Sequence, residues 1–589
     1  MDRDYFQLRL WLDTEMTSPL SLQALAELWY CSVKNAKRKL LKYQAAGLFM
    51  YQPGSGRGHL STLTFFRKFQ DDLAAYLSQK QDDEQLSFLL SLLKLSESSN
   101  YQSLMMPAIN QLLGTSFHMQ KGEIMRAIVQ RRIGTLHPTK VVTSFEYFLI
   151  DQLGDPLFKF HAKTDEILPW LAHHFYTTDH QSWLIYLRKG VFFHHEREMD
   201  SEDVIYSLKM AASSASVGAW KLSEIDTMQI RDRYTIEIIL KRPNALFLRY
   251  LCSGNITILP RDHPFDENQW LSTGPFKLTE RNEERIILTA FDHYFSTRPL
   301  LDQVEFWFVP QDPVAFGAQF SRTNDKHEEH LLEQDSYSNT VHFLAFNFHS
   351  PLPFLQHPAF REAIYHLAFI EKWQKEGVLS NKTVAHGYLM QEKDPMLPPH
   401  DLAKIQHLLM ESGYNGDPIR LGYYNKPWGE SLANKFKTEA AKLNISIIPV
   451  PLFMADYYQT DFQTEADLFV LSEESGADLE VSFLDFLLNP SLAPQKFWPV
   501  NYKKTLLELT ADFQAGSDEK TRQKSHDKIE SWLMQNFLLI YLFFDAKSFL
   551  VDANLKGMVG SNYGYFDLRN VWFDLCHKSQ DTLNHTDNK

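Results

Sequence analysis

The chain has 589 residues, 44% of them hydrophobic and 22% charged, with a formal net charge of −14. That length exceeds one ordinary domain, and that balance excludes a disordered or collagen-like chain. Three widely spaced cysteines, Cys31, Cys252 and Cys576, give neither a disulfide framework nor a metal pattern and point to a reducing compartment.

Met1 to Tyr5 lacks the basic start and apolar core of a secretory signal. The longest apolar run, Phe537 to Phe544, is too short to span a bilayer. A cytoplasmic location without membrane contact is expected.

Ser21 can cap a helix from Leu22 to about Trp29, whose Leu22, Leu25, Ala26 and Trp29 form one apolar face. Tyr30 and Cys31 make a turn. Ser32 can cap a second helix from Val33 to about Ala46, with an apolar stripe of Val33, Ala36 and Leu40. Lys34, Asn35, Lys37, Arg38 and Lys42 lie off that stripe, and Gly47 suits the positive φ of a helix end. Leu48 to Gln52 and His59 to Phe65 read as two strands around the glycine-rich turn Pro53 to Gly58. Two helices in a tight turn with a hairpin after them make a winged helix-turn-helix. Its second helix can enter the major groove of double-stranded DNA.

Charge agrees with this reading. Residues 31–70 hold eight Lys/Arg and no Asp or Glu. With those eight set aside, the remainder carries −22 against −14 for the whole chain, so a basic patch sits on an acidic protein. The expected DNA contacts are Ser32, Lys34, Asn35, Lys37, Arg38, Lys42, Arg57 and His59. A solvated basic face, or a module docking on an acidic protein, is the competing reading.

Residues 71–121 are helical in pattern, with Leu-rich Gln85 to Leu95 and apolar Tyr101 to Leu113. They can pack the winged helix onto the C-terminal part of the chain or form the seam of a homodimer. From residue 122 strands and helices alternate. Ser182 to Leu187 and Tyr234 to Leu240 read as strands, Asp200 can cap a helix to about Ala212 with Asp203 at its third position, and Ser272 to Leu278 is a turn entering a strand.

These residues carry two resemblances. Leu25-Ala26-Glu27, Cys31-Ser32, Gly47 and Gly56-Arg57-Gly58, then Ser61 to Phe65, resemble the N-terminal domain of SgrR-type transcriptional regulators. Pro169 to Ala172, Leu187 to His194, Glu202 to Leu208, Thr273 to Leu278, Leu300 to Phe306, Leu344 to Asn347 and Phe360 to Ile364 resemble the family 5 extracellular solute-binding proteins, in the family's order. The second resemblance implies two α/β lobes around a cleft, of the type II, peptide-binding class. The expected organisation is a winged helix-turn-helix at 1–70, a helical linker at 71–121, lobe 1 at 122–335, lobe 2 at 336–540, a return segment at 541–575 and a flexible tail at 576–589.

The resemblances imply a regulator that senses a small molecule: a sugar phosphate, a peptide or another metabolite. A substrate-binding component of a transporter is the alternative. Thr273 and Asn347 are cleft candidates by motif position. Peptide-binding members capture an amine with an acid in the stretch matching Asp467 to Asp478, where this chain offers Glu473, Glu474 and Asp478. No cofactor, metal or enzymatic activity is expected. His173-His174 and His194-His195-Glu196 are neighbours whose side chains diverge, while a metal needs converging ligands. Gly54, Gly56 and Gly58 lack the Lys-Ser/Thr of a phosphate loop.

Overall fold

The computed structural model of the protein describes residues 1–12, 15–54, 60–80, 82–93, 105, 108–109, 116–118, 122–129, 133–308, 319–320, 331–379, 382–390, 397–453, 461–552, 555–558 and 565–574. The N-terminal elements are α1 (Arg3–Trp11), β1 (Thr17–Leu20), α2 (Leu22–Leu28), α3 (Val33–Ala45), β2 (Phe49–Gln52) and β3 (Ser61–Phe65). The strands form an antiparallel sheet in the order β1-β3-β2, with Phe49 opposite Phe65 and Gln52 opposite Thr62. This is a winged helix.

Local chemistry sets its helix ends. The Ser21 hydroxyl accepts from the Ala24 amide and the Ser32 hydroxyl from the Asn35 amide, each at 3.3 Å. Gly47 ends α3 at φ +72°. The apolar stripe of α3 differs from expectation: Val33 is 40% exposed, and the buried residues are Ala36, Leu40 and Tyr43. Those three fall at i, i+4 and i+7, one true helical face. Sequence reasoning also missed α1 and β1, although the Asp2 carboxylate caps α1 through the Tyr5 amide.

Helix α4 (Phe69–Leu77) is tied to α1 by a buried ion pair, Arg9 Nη1 to Asp72 Oδ2 at 3.1 Å. The Arg9 guanidinium also lies 4.1 Å from the centre of the Phe65 ring, a cation–π contact shielded from water. Helix α5 (Asp82–Leu93) adds Leu86, Leu89 and Leu90 to the same core. The linker helices are therefore part of the N-terminal core. Trp307, from the next domain, is buried in it too.

One twelve-stranded sheet passes through both lobes. At its lobe 1 end, Gly122–Val129 runs parallel to Gln303–Phe308, flanked by Arg285–Ala290 and Phe276–Arg281. At its lobe 2 end are Leu468–Glu474, Ile419–Tyr424 and Ile447–Leu452. Two long antiparallel strands in the middle, Leu331–Phe346 and Leu539–Asp552, span from one lobe to the other, with Thr340 opposite Asp545 and Leu344 opposite Ile540. A paired two-strand crossing is what a hinge requires, since few residues have to bend.

Lobe 1 carries a second, antiparallel sheet of Ile225–Asp232, Thr235–Leu240, Ser182–Leu187 and Ala172–Tyr176. Helix Ser201–Ala211 packs near it and starts with a full capping box between Asp200 and Asp203. Near the C-terminus, Leu555, Phe566, Leu568, Val571 and Phe573 share a core with Phe148 and Phe306, so the chain returns to lobe 1. Among the described residues, no helix is long and apolar enough to cross a membrane.

Candidate functional site

The first site is the outer face of α3. Ser32, Lys34, Asn35, Lys37, Arg38 and Lys42 are exposed, opposite the buried Ala36, Leu40 and Tyr43. Lys39 differs from its basic neighbours: its ammonium pairs with the Asp4 carboxylate and lies 5.2 Å from the centre of the Trp29 ring. It holds α3 to α1. Helix α3 thus presents its N-terminal basic residues to solvent, as a major-groove reader must. Arg57, assigned from sequence to the wing tip, and His59, assigned to the start of the strand after it, lie outside the described residues.

The second site is the cleft between the lobes. It has two adjoining chambers of about 370 and 390 Å³, and Glu473, Glu474 and Asp485 line both. Each is of the size of an ordinary small-molecule pocket. The first chamber has aromatic walls, including Tyr147, Tyr424 and Trp428, and Lys426 and Lys496 line it together with the acids. Strand Leu468–Glu474 places Glu473 there, opposite Val341 of the hinge. Burial, then the charges of Asp485 and Glu474, push the Glu473 carboxyl well above the usual carboxylate range. Burial thus favours the protonated form of this group, which can donate a hydrogen bond as well as accept one.

Cations of lobe 1 meet acids of lobe 2 across the second chamber. Arg249, on the short helix Phe247–Tyr250, donates to Asp478 from Nε at 2.5 Å and Nη2 at 2.6 Å, and from Nη1 to Glu480 at 2.7 Å. Lys221 Nζ lies 2.7 Å from Asp485 Oδ1, which the Trp220 indole also reaches at 2.8 Å. The lobes are closed on each other.

Three of the five expected cleft residues line the chambers: Glu473, Glu474 and Asp478. Asp478 is already engaged, pairing with Arg249 and capping helix Leu479–Leu488 through the Val481 amide. Thr273 and Asn347 line neither chamber. The Thr273 hydroxyl, fully buried, donates to Asp155 at 3.3 Å. The Asn347 amide donates at 2.8 Å to the carbonyls of Gln463 and Ala466 and accepts from the His349 amide. Both side chains tie distant segments of the fold together, because a buried amide or hydroxyl has to be satisfied within the protein. Arg249, Lys221 and Asp485 went unnoticed in the sequence. The signal for Arg249 was a lone cation inside the apolar run Ala245 to Leu251.

The histidine runs also resolve. His173 and His174 are exposed on strand Ala172–Tyr176. His194 is buried with Nε2 3.0 Å from the Gly274 carbonyl, and burial pushes its pKa down to about 4.

The winged helix and lobe 1 are joined directly. Trp307 is 1% exposed within the N-terminal core, its indole donates to Glu305 at 2.9 Å, and Glu305 is paired with Arg126. Ser87 on α5 donates to Glu284 at 2.7 Å.

A winged helix fixed to one lobe of a two-lobed binding domain defines the class of this protein. The model of the bacterial extracellular solute-binding proteins, family 5, middle region, matches residues 166–491, more than half of the chain, and the chain belongs to that family. A second model, the N-terminal part of the sugar transport-related sRNA regulator, matches residues 2–116. The HTH-type transcriptional regulator SgrR of Yersinia enterocolitica is 24% identical over 596 residues, covering 96% of this chain and 97% of that protein. An uncharacterized Bacillus subtilis protein, YhjP, is 24% identical over 560 residues, 94% of this chain and 96% of its own. Among solved structures, the periplasmic binding protein DppA of Helicobacter pylori, in complex with the peptide STSA, overlays with a TM-score of 0.65 at 20% identity, over 77% of this chain and 98% of that one.

Proposed function

We propose that this protein is a DNA-binding transcriptional regulator whose interlobe cleft senses a small molecule. The observation that carries the reading is the exposed basic start of α3, held beside the β2–β3 hairpin by the caps at Ser32 and Gly47. Lys34, Asn35, Lys37, Arg38 and Lys42 contact DNA, with Arg57 and His59 at the wing. The regulator name of the Yersinia relative supports the reading over nearly the whole chain.

Ligand held between the lobes favours their closure in proportion to its preference for that state. Trp307 makes the winged helix travel with lobe 1. Movement of lobe 2 then changes what surrounds the DNA-binding face, or how two copies pair on half-sites. The aromatic walls and the acids Glu473, Glu474 and Asp485 suit a ligand with amine or hydroxyl groups on an apolar body. A phosphate would find Lys426 and Lys496 in the same chamber as those acids. Of the ligand classes expected from sequence, the acids suit the amine of a peptide or other metabolite and the lysines suit the phosphate of a sugar phosphate.

The test is fluorescence anisotropy at fixed near-physiological salt, using DNA upstream of the protein's own gene with scrambled DNA as competitor. Specific sites exceed non-specific ones by roughly 10³ or more. A preference of about a hundredfold or more supports the proposal. Equal binding to both DNAs rejects it in favour of a basic domain that docks on an acidic protein.

A further inference from the structure

We propose a divalent transition-metal site in lobe 1, outside the cleft, formed by His195, Asp262 and His263. One ligand atom from each lies within 4.8 Å of the others. Both imidazole Nε2 atoms face the same carboxylate oxygen, Asp262 Oδ2, His195 at 3.4 Å and His263 at 3.9 Å. The two rings meet edge to face, 4.6 Å between centres.

Ligand atoms about 2.1 Å from a tetrahedral ion are about 3.4 Å apart. The His195–Asp262 separation already has that value. His263 is 48% exposed, so its side chain can close the remaining distance without disturbing a core.

Two further observations bear on the site. Among the described residues, buried His195 Nδ1 has no hydrogen bond, and buried Nε2 has only the ion-pair approach to Asp262 at 3.4 Å. Buried polar atoms are normally satisfied. The other Asp262 oxygen, Oδ1, is held by Arg197 Nη2 at 2.8 Å. That pairing orients the carboxylate and leaves Oδ2 toward the imidazoles, the arrangement of a metal ligand steadied from behind. His195 diverges from its neighbours in sequence; the partners it converges on come from a loop more than sixty residues away.

Two imidazoles and one carboxylate select a borderline ion such as Zn²⁺ or Ni²⁺ over Mg²⁺ or Ca²⁺, which prefer all-oxygen shells. Water completes the coordination. The ion would pin the Asp262–His263 loop to the segment around His195.

The test is isothermal titration of the full chain with ZnCl₂, with MgCl₂ as the comparison ion. The readout is the tightest class of sites, so that weak binding at histidines elsewhere does not enter it. The expected result is one zinc per chain, no magnesium, and an affinity weakened at least about tenfold by His263→Ala and by Asp262→Asn. His386→Ala, an exposed control, leaves it unchanged. His263→Ala decides the matter if Asp262→Asn disturbs the pairing with Arg197. Zinc affinity and stoichiometry unaltered in His263→Ala, or no tight zinc in the wild type, overturns the proposal.

Discussion

Arg249 and Asp478 face each other across the cleft as a two-point ion pair, with side chains 8% and 11% exposed. Planar guanidinium on carboxylate fixes direction as well as charge, so the pair defines one closed arrangement of the lobes. Removing one partner leaves the other charge buried, at a cost of about 3–5 kcal/mol. Arg249→Ala is expected to shift the protein toward an open form, seen as a larger radius of gyration in small-angle scattering. The double variant with Asp478→Ala should recover part of the stability, less the helix cap that Asp478 provides, because its buried carboxylate is then gone. A double-mutant cycle that returns additive effects would show that the two residues are not coupled.

Glu473 gives the cleft a pH dependence. Burial and the acids Asp485 and Glu474 raise its pKa. An acid with a raised folded-state pKa holds more protons folded than unfolded between its two values. Stability therefore falls as pH rises from the ordinary glutamate value of about 4.3 up through the raised one. Glu473→Gln, which stays neutral, is expected to melt higher than the wild type above that window and to converge with it near pH 4. Parallel melting curves at every pH would contradict the assignment.

The basic face of α3 predicts a salt signature. Removing one cation that neutralises a phosphate reduces the slope of log K against log salt by about 0.9. Lys37→Ala with Arg38→Ala should weaken DNA binding and flatten the slope by about 2 in anisotropy titrations. Lys39→Ala should leave the slope intact and lower stability instead, since Lys39 is occupied by Asp4 and Trp29. Equal effects of all three would mean that exposure does not separate readers from supports.

Trp307 predicts how the domains separate. A buried Trp→Ala change costs about 3–5 kcal/mol. Because Trp307 sits on a lobe 1 strand but fills the N-terminal core, Trp307→Ala should speed proteolysis between the winged helix and lobe 1. Cleavage at the wild-type rate would place the joint elsewhere.

Legibility in the sequence tracks the range of the interactions involved. Caps at Ser21, Ser32 and Asp200, and the positive φ at Gly47, depend on residues within four positions. They were legible without a fold. The lobes were legible because many family motifs occur in one order. Val33 was misread because an apolar residue at a helix start can face water when Tyr43, further along the helix, supplies the packing. Thr273 and Asn347 were misplaced because a motif position marks both fold and site, and their hydrogen bonds reach Asp155 and Ala466 over a hundred residues away. The Arg249–Asp478 pair and the His195–Asp262–His263 cluster rest on tertiary convergence, which no spacing encodes.

The central claim is that lobe closure sets DNA affinity. The most direct measurement compares the affinity of wild-type protein and Arg249→Ala for the upstream fragment, by anisotropy at one salt concentration. Allosteric coupling is typically about 1–3 kcal/mol, or about 5–150-fold. A change of at least about fivefold, with binding to scrambled DNA unaltered, is the predicted result. Identical affinities, with scattering that confirms an open Arg249→Ala protein, would contradict the account.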